Sequence, residues 1–325
     1  MIVIPRSVVE RLYPPAAARA SVREAVLAHR DGRDSTPGRT ALHARRSEGE
    51  MLVMPAAVDA SAFAVKIWHR FEAGHGRLPP SSASIMLLDP DLGEEVLLDG
   101  SCITDRRTAA MTALMALAYA PPQARVLTVI GAGLQARSSI EALLDALPAL
   151  EQVRVVSRRA SSAQALVDEL EPADGTRRWT PFSDVSEAVA GADVIVAATT
   201  SSTPVVPDDA VAPGALVCGV GSHDVGSAEI EPATVARAAV RVVDTLAGGL
   251  DSAADLSGPV AAGLLSREDV LELSAIAAGE GPPRDPERPT VFKSVGFAGL
   301  DAVAARHVAR AAIEGGEGMR LDLHA

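Results

Sequence analysis

The segment VLTVIGAGLQARSSIEALL, residues 126–144, constrains the fold more than any other part of the chain. A continuous apolar run leads into a glycine-rich turn, and apolar side chains then recur at helical spacing. Gly131, Gly133 and Ala136 match the pattern G-x-G-x-x-G/A, in which the first glycine permits a tight turn and the second lets backbone approach a pyrophosphate. The start of the helix supplies unpaired N–H groups and a partial positive charge for phosphates. We therefore predict that a dinucleotide binds at this turn.

The residues that follow support this prediction, because a glycine turn alone also occurs for purely structural reasons. Four further apolar strands alternate with helical stretches. The strands are VRVVS, VIVAAT, ALVCGVG and AVRVVD, and the helical stretches are 134–148, 161–171 and 183–190. Buried strands that alternate with helices indicate a parallel sheet covered on both faces. The predicted fold class is α/β, with a Rossmann-type doubly wound parallel sheet.

The first part of the chain has a different pattern. A helix is predicted over 22–29, and the apolar segments MLVMP, FAVKIW, SIMLLD and EVLLDG are separated by Gly, Pro and Asp turns. Short strands with such breaks favour an antiparallel sheet. The segment TDRRTAAMTALMALAYA then predicts a helix with Thr104 as its N-cap.

Beyond residue 245, LSREDVLELSAIAAG predicts a helix and PTVFKSVG a strand or loop, and a last helix begins near Gly299. At 325 residues the chain is long enough for roughly two domains. We expect a smaller α+β domain over 1–121, to which the C-terminal helix of about 296–325 returns. The Rossmann-type domain is expected over 122–295.

Composition excludes several classes of partner. The net charge of −12 argues against nucleic acid or an anionic membrane, because both need a basic face. The sequence has no apolar run of about 18 residues, and its N-terminus lacks the pattern of a signal peptide. Cys102 and Cys218 lie in apolar segments and match no metal spacing, which favours buried thiols in a reducing compartment. We expect a cytoplasmic protein without a metal site.

The end of the second predicted strand indicates which dinucleotide the turn accepts. An acidic residue there bonds the ribose 2′-hydroxyl of NAD, whereas an arginine accommodates the 2′-phosphate of NADP. Ser157, Arg158 and Arg159 occupy this position, and the next acidic residue is Asp168. Two guanidiniums beside a hydroxyl suit a phosphate, although they would also suit a solvated basic loop. We expect NADP(H), with NAD(H) as the alternative.

Seven motifs spread over nearly the whole chain resemble the ornithine cyclodeaminase/mu-crystallin family. They are MPA at 54–56, VK at 65–66, TDRRTAA at 104–110, GAGLQA at 131–136, ADVIVAATTSSTPVV at 192–206, GSHDVGSAEIEP at 221–232 and VFKSVGFAGLD at 291–301. Together they are specific for the family but only weakly specific for a reaction, since its members include cyclodeaminases, alanine dehydrogenase, ketimine and cyclic imine reductases and opine-type enzymes. The resemblance implies a homodimer whose N-terminal domain holds the substrate and forms the dimer sheet.

The resemblance also implies the residues of both binding sites. The expected cofactor-binding set is Thr108, Gly131, Gly133, Leu134, Gln135, Ala136, Ser157, Arg158, Arg159, Thr199, Thr200, Val220 and Lys293. Arg39, Lys66 and Arg107 match the positions that hold a substrate carboxylate, and Lys66 is also expected in catalysis. Two guanidiniums and an ammonium can hold one carboxylate and orient its α-carbon. The residues alone favour a surface arginine at Arg39, with Arg45 and Arg46 as neighbouring alternatives. A buried lysine such as Lys66, in contrast, needs a partner.

One departure from the family pattern bears on the reaction. Cyclodeaminases of the family carry an Asp in the loop after the fifth strand, where this chain has His223, followed by Asp224. A shift of one residue would restore a carboxylate. A histidine exchanges a proton near neutral pH, so His223, or the adjacent Asp224, is expected to protonate an imine nitrogen while hydride adds to carbon. His223 could equally be a loop residue that bonds only to backbone.

These features together predict an NAD(P)H-dependent enzyme that reduces a C=N bond next to a carboxylate. The expected substrates are small cyclic ketimines such as Δ1-pyrroline-2-carboxylate or Δ1-piperideine-2-carboxylate. Three alternatives remain open: an ornithine or lysine cyclodeaminase, reductive amination of a 2-oxo acid, and a non-catalytic NADPH-dependent binding protein of the mu-crystallin type.

Overall fold

The computed structural model describes residues 1–44, 49–59, 62–71, 74, 76–222 and 226–322. The chain forms two compact units, residues 1–107 with 297–325 and residues 108–296. The sequence predicted the first boundary after residue 121, but the structure places it within a helix. The second half of that helix belongs to the second unit, because Ala109 and Ala113 pack there against Ala142.

The order of helices and strands changes along the chain, from mostly successive strands to strands that alternate with helices. Up to residue 119 the elements are β1 (Ile2–Ile4), α1 (Arg6–Leu12), α2 (Pro15–Arg30), β2 (Asp34–Ser35), β3 (Thr40–Ala44), β4 (Gly49–Val58), β5 (Ala62–Arg70), β6 (Ser81–Asp89), β7 (Glu94–Asp99) and α3 (Gly100–Tyr119). From residue 126 they are β8 (Val126–Ile130), α4 (Leu134–Ala146), β9 (Gln152–Val156), α5 (Ala160–Asp174), β10 (Arg178–Phe182), α6 (Val185–Val189), β11 (Val194–Ala197), β12 (Leu216–Gly219), α7 (Pro232–Arg237), β13 (Val240–Val243), α8 (Leu246–Ser252), α9 (Ala254–Ala261), β14 (Leu271–Glu272), α10 (Leu273–Ala277), β15 (Thr290–Lys293), α11 (Ala298–Glu314) and β16 (Met319–Arg320).

The first unit is built on a mostly antiparallel sheet, as the sequence predicted. Its strand order is β16-β1-β7-β6-β5-β4-β2, with β3 also paired to β4. Successive residues of a strand point to opposite faces, so Ala64 and Lys66 of β5 are buried while Phe63 and Ile67 are exposed. Helix α11 packs against β4, β5 and β6 and against α2, and it lies in the first compact unit.

Helix α3 begins earlier than its sequence predicted. It starts at Gly100, so Thr104 is not its N-cap, and the Thr104 hydroxyl instead donates to the Gly100 carbonyl at 2.7 Å. The Asp99 carboxylate accepts a hydrogen bond from the Cys102 N–H at 2.8 Å, the interaction that an N-cap side chain makes. Arg107 therefore lies in the interior of the helix and not near its N-terminus.

The second unit contains the predicted parallel sheet, in the order β10-β9-β8-β11-β12-β15-β13-β14. All of its strand pairs are parallel. The chain proceeds from β8 through β9 to β10 on one side and returns to start β11 on the other side of β8. Strand order therefore reverses beside β8, and in sheets of this kind ligands bind at the carboxyl ends of the strands at that point.

The helix predicted from LSREDVLELSAIAAG is interrupted, because its first half forms only a short 3₁₀ helix, Arg267–Asp269, before a strand. Leu271 and Glu272 form β14, in which Leu271 pairs with Val242 of β13, and only Leu273–Ala277 are α-helical in the second half. Pairing with an available strand edge therefore overrides the local helical pattern. Among the described residues, no helix combines the length and apolar character needed to span a bilayer.

Candidate functional site

The turn between β8 and α4 has the geometry that its glycines suggested. Gly131 has a φ of +120°, and a Cβ at this position would lie 2.3 Å from the carbonyl oxygen of Ala198. Only glycine fits such a position without strain. Gly133 is the N-cap of α4 and makes no side-chain cap bond, and a Cβ added there would meet no atom within 4 Å. The first glycine is thus required by the fold, whereas the second faces open space at a helix N-terminus.

A cavity of about 510 Å³ lies at this turn. It is lined by Ile130, Gly131, Ala132, Gly133, Ser157, Arg158, Arg159, Ser162, Val185, Ala198, Thr199, Thr200, Ser201 and Val205. Apart from Val185 at the start of α6, these residues lie at the carboxyl ends of β8, β9 and β11 and in the segments that follow them, where strand order reverses. The volume is within the range of roughly 300–1,000 Å³ that is typical of small-molecule pockets.

Cationic side chains lie on one part of the cavity wall. Arg158 and Arg159 follow β9 and are exposed, and both contribute to the lining together with Ser157 and Ser162. The Ser157 hydroxyl donates to the Arg159 carbonyl at 2.7 Å, which holds the start of α5 against the end of β9. Two guanidiniums with two hydroxyls provide many donors and no fixed negative charge, which is suitable for a phosphate.

The structure separates the predicted cofactor residues into two groups. Gly131, Gly133, Ser157, Arg158, Arg159, Thr199 and Thr200 line the cavity. Ala136 is fully buried, as expected for the small residue that lets α4 lie close to the sheet. Thr108 and Val220 are also buried, Leu134 is exposed at the start of α4, and Gln135 is half-buried.

Lys293 differs from its expected role in contacting the cofactor. Its side chain is completely buried, and its ammonium contacts Ser222, Asp255 and Glu229. A buried ammonium needs such partners, because an unpaired charge away from water is costly. The structure therefore places Lys293 behind the loops of the site and not on the cavity surface.

Three independent features make the cavity suitable for a dinucleotide. The open space over Gly133 leaves room for a pyrophosphate, the N-terminus of α4 offers N–H donors to it, and Arg158 with Arg159 can meet a further phosphate. Each feature uses the backbone or side chains of this chain alone. A dinucleotide is therefore the cofactor class that these residues suit.

The first unit contains a second group of candidate residues. The alternation of β5 places Lys66 on the buried face of the sheet, which α11 covers. Asp301, in the first turn of α11, and Arg107 of α3 are also buried. Lys66 donates to Asp301 Oδ2 at 2.5 Å, and Arg107 Nε donates to Asp301 Oδ1 at 3.3 Å. Two buried cations thus share one carboxylate.

Burial and charge determine the protonation of Lys66. Burial lowers the pKa of its ammonium, and the positive charges of Arg107 and Arg39 act in the same direction, while Asp301 opposes them. Arg39 contributes the smallest of these effects on the pKa of Lys66. The structure therefore brings Lys66 and Arg107 together at Asp301, and the role of Arg39 stays a prediction.

Sequence reasoning missed the role of Asp301. The sequence feature that could have revealed it is an acidic residue within the otherwise apolar segment FAGLDAVA. This segment begins α11, in which Asp301 is buried. A buried carboxylate requires a partner, so this position could have been linked to the buried Lys66. His223 and Asp224, as well as Arg45 and Arg46, lie outside the described residues, so the assignments to them stay predictions.

The parallel sheet, the glycine turn and the cavity beside β8 define a Rossmann-type dinucleotide-binding protein. The chain belongs to the ornithine cyclodeaminase/mu-crystallin family, whose model matches residues 3–316. This confirms the resemblance found in the sequence motifs.

Individual relatives match almost the whole chain. It is 33% identical to the ketimine reductase mu-crystallin of Mus musculus over 282 residues, 86% of this chain and 85% of that protein. It is 30% identical to the Delta(1)-pyrroline-2-carboxylate reductase of Paracoccus denitrificans over 303 residues, 92% of this chain and 95% of that protein. The solved structure of the Thermococcus litoralis Delta(1)-pyrroline-2-carboxylate reductase, in complex with NADH and L-proline, aligns with a TM-score of 0.90 at 29% identity and covers 99% of this chain and 100% of that chain.

Proposed function

We propose that this protein is an NAD(P)H-dependent reductase of cyclic ketimines that carry a carboxylate next to the C=N bond. The observation that carries the proposal is the sharing of Asp301 by Lys66 and Arg107. Two cations on one carboxylate leave an excess of positive charge in a buried setting, and an anion of the substrate can compensate it. The similarity to reductases of Delta(1)-pyrroline-2-carboxylate and of ketimines supports the same substrate class.

Each residue of this group has a defined part in the proposal. Arg107 uses its Nε on Asp301, which is compatible with presenting its terminal nitrogens to a carboxylate in a bidentate fork. Lys66 adds a point charge, and Arg39 contributes the third cation. The carboxylate is thereby oriented before the reaction, which removes part of the entropic cost of positioning its α-carbon.

The reaction balances as one hydride and one proton added across C=N. The nicotinamide supplies the hydride when it is bound. We assign the proton on nitrogen to His223 or the adjacent Asp224, because a group that titrates near neutral pH is suited to this transfer. The product is the cyclic amino acid.

We further propose a preference for NADP(H) over NAD(H). Arg158, Arg159, Ser157 and Ser162 support it, since they line the part of the cavity that follows β9. An acid that would bond a free 2′-hydroxyl is replaced there by cations suited to a 2′-phosphate. NAD(H) is the alternative, and the two are separated by direct titration of both cofactors.

We also propose that the protein is a cytoplasmic homodimer formed through the first unit. Phe63, Ile67 and Leu88 are large apolar side chains on the exposed face of its sheet, on the side opposite to α11. Phe63 and Leu88 are cross-strand neighbours, so they form a continuous patch. A second copy of the chain would remove this surface from water.

The experiment that tests the activity is a screen of NADPH and NADH oxidation at several pH values. The substrates are Δ1-pyrroline-2-carboxylate, Δ1-piperideine-2-carboxylate, and 2-oxo acids with ammonia or simple amines. We expect NADPH oxidation with a cyclic ketimine and formation of proline or pipecolate. His223→Ala is expected to lower the rate and alter its pH profile.

Other outcomes would contradict the proposal in distinguishable ways. Release of ammonia from ornithine or lysine, with proline or pipecolate formed, would indicate a cyclodeaminase. Turnover of 2-oxo acids with amines alone would indicate reductive amination. Binding of NADPH without oxidation in any mixture would indicate a non-catalytic binding protein.

A further inference from the structure

The most deeply buried charged cluster of the second unit, among the described residues, surrounds Lys293. Its exposed fraction is 0%, and its Nζ lies 2.6 Å from Ser222 Oγ, 3.0 Å from Asp255 Oδ2 and 3.3 Å from Glu229 Oε2. One ammonium thus faces two buried carboxylates. Both carboxylates also accept hydrogen bonds from backbone N–H groups around them.

Glu229 joins two loops of the parallel sheet. Its Oε1 accepts from the Thr199 N–H at 2.8 Å and from the Thr199 hydroxyl at 3.1 Å. Its Oε2 accepts from the N–H groups of Gly221 at 2.7 Å and Ser222 at 3.1 Å. Thr199 follows β11 and Gly221 follows β12, so one carboxylate holds the ends of two adjacent strands. Bonds from N–H groups to a charged acceptor are among the stronger hydrogen bonds in proteins.

Asp255, on α9, holds Glu229 in turn. Its Oδ1 accepts from the backbone N–H groups of Glu229 at 2.7 Å and Ile230 at 2.9 Å, and its Oδ2 accepts from Ser222 Oγ at 3.2 Å. The two loops also touch directly, because a Cβ on Gly221 would lie 2.1 Å from the Thr199 carbonyl oxygen. The backbone here is fixed by contacts from several directions.

The network reaches the cavity through Thr199, which lines it. We propose that Glu229, held by Lys293 and Asp255, is a positioning residue for dinucleotide binding, which keeps the loops after β11 and β12 in the conformation that the cofactor requires. The inference rests on the proposed cofactor site but adds residues that do not touch the cofactor. Gly221 and Ser222 also directly precede His223 in the sequence, so the same bonds fix the start of the segment that carries the predicted proton donor.

The test is the affinity of the substrate-free protein for NADPH and NADH, measured by cofactor fluorescence well below the melting temperature. Glu229→Gln keeps the size of the side chain but presents an NH₂ group where Gly221 and Ser222 need an acceptor. Lys293→Met removes the charge that holds the two carboxylates together. We expect each variant to raise the Kd of the better-bound cofactor by about 10-fold or more, because a hydrogen bond to a charged group is lost.

A matched control separates positioning from general stability. Asp174→Asn removes a carboxylate of the same unit that accepts from Trp179 at 2.9 Å, at the C-terminus of α5 and away from the cavity lining. We expect it to lower the melting temperature without changing the cofactor Kd. The proposal is overturned when Glu229→Gln and Lys293→Met bind cofactor as the wild type does, or when Asp174→Asn, at an equal loss of stability, weakens binding equally.

If Glu229→Gln and Lys293→Met both prevent folding, a milder variant still tests the proposal. Ser222→Ala removes only the hydroxyl that contacts Lys293 and Asp255. We expect it to fold and to raise the cofactor Kd by a smaller factor, about 3-fold, and an unchanged Kd would contradict the network. Because no imine is present, failure here leaves the reductase assay unaffected, whereas a wild type that binds neither cofactor would overturn both proposals.

Discussion

Lys66 lies on a strand face that is otherwise apolar, and this placement determines how its charge responds to pH. An exposed lysine has a pKa of about 10.4. Burial lowers the pKa of Lys66 and the Asp301 carboxylate opposes the shift without cancelling it. Because the direction is downward, the ammonium loses its proton at a lower pH than an exposed lysine would.

The pH dependence of carboxylate binding tests this assignment. We expect the Kd for cyclopentanecarboxylate, a ligand without a titrating nitrogen, to be constant from the pH at which its carboxyl group is fully ionised up to the Lys66 pKa. It should rise at alkaline pH below the ordinary lysine value, because the deprotonated amine attracts the anion less. Isothermal titration calorimetry over a series of pH values measures the effect. In Lys66→Arg the guanidinium stays protonated, so the alkaline rise should disappear; an identical rise in both proteins would assign the ionisation to another group.

Arg158 is the residue on which cofactor preference should depend most directly. We expect Arg158→Asp to weaken NADPH binding by about 10-fold or more, because a charged hydrogen bond is lost and a like charge faces the 2′-phosphate. NADH lacks that phosphate, so its Kd should change little. Titration of both cofactors measures the ratio.

Arg125 offers a matched control for the net charge. It is exposed in the same unit and precedes β8, at the end of the strand opposite the cavity. Arg125→Asp should leave both Kd values unchanged. An NADPH to NADH ratio that is the same in Arg158→Asp and in the wild type would mean that the basic loop is only a solvated surface.

At the scale of the element, the two glycines of the turn between β8 and α4 have different roles: Gly131 is required for folding, and Gly133 is expected to be required for cofactor binding. Gly131→Ala forces a side chain into a backbone conformation of φ +120° and against Ala198. We expect it to lower the free energy of unfolding by at least about 2 kcal/mol. Gly133→Ala has open space and an ordinary φ of −96°, so its stability should stay within about 0.5 kcal/mol of the wild type.

Gly133→Ala, which should affect stability little, is expected to affect cofactor binding strongly. The added methyl of Gly133→Ala would occupy the space over the turn, and we expect the Kd for NADPH to rise by about 10-fold or more, since close approach of the backbone to the pyrophosphate is lost. Urea unfolding and cofactor titration on the same protein give both quantities. A stable Gly133→Ala that binds cofactor normally would place the pyrophosphate elsewhere.

The elements also mark what sequence could and could not predict. Strands with uniform apolar runs and the glycine turn were located correctly, because their patterns are local. The start of α3 at Gly100 and the strand β14 were missed, since each depends on contacts that the local pattern does not encode: a carboxylate cap from Asp99 and an edge of β13. Local propensity is a weak guide when tertiary pairing competes with it.

The same distinction applies to the candidate sites. Arg158 and Arg159 could be placed at the cavity from the sequence, because their position after β9 is fixed by the chain itself. The role of Asp301 and the burial of Lys293 were not foreseen, because their contacts depend on residues more than 60 positions away, Lys66 and Glu229 respectively. A motif records that a lysine is present, but the direction in which its ammonium points is set by the fold.

At the scale of the whole molecule, the exposed sheet face of the first unit predicts the oligomeric state. Phe63 is 58% exposed and Ile67 is 44% exposed, and both lie on the same face of β5. Large apolar groups clustered on one face are the usual mark of a protein interface. We expect the wild type to be a dimer by size-exclusion chromatography with light scattering.

A charge placed in this face should separate the subunits. In the double variant Phe63→Asp and Ile67→Asp, a dimer would bury two unpaired carboxylates per subunit. The free energy lost by desolvating them disfavours association, so we expect a monomer. Leu264→Asp is the control: Leu264 is 60% exposed in the second unit, so this variant should remain dimeric. A dimer that persists in the double variant would assign association to another surface. Since the substrate group of Lys66 lies on the opposite face of the same strand, the monomeric variant would also reveal whether carboxylate affinity depends on the dimer.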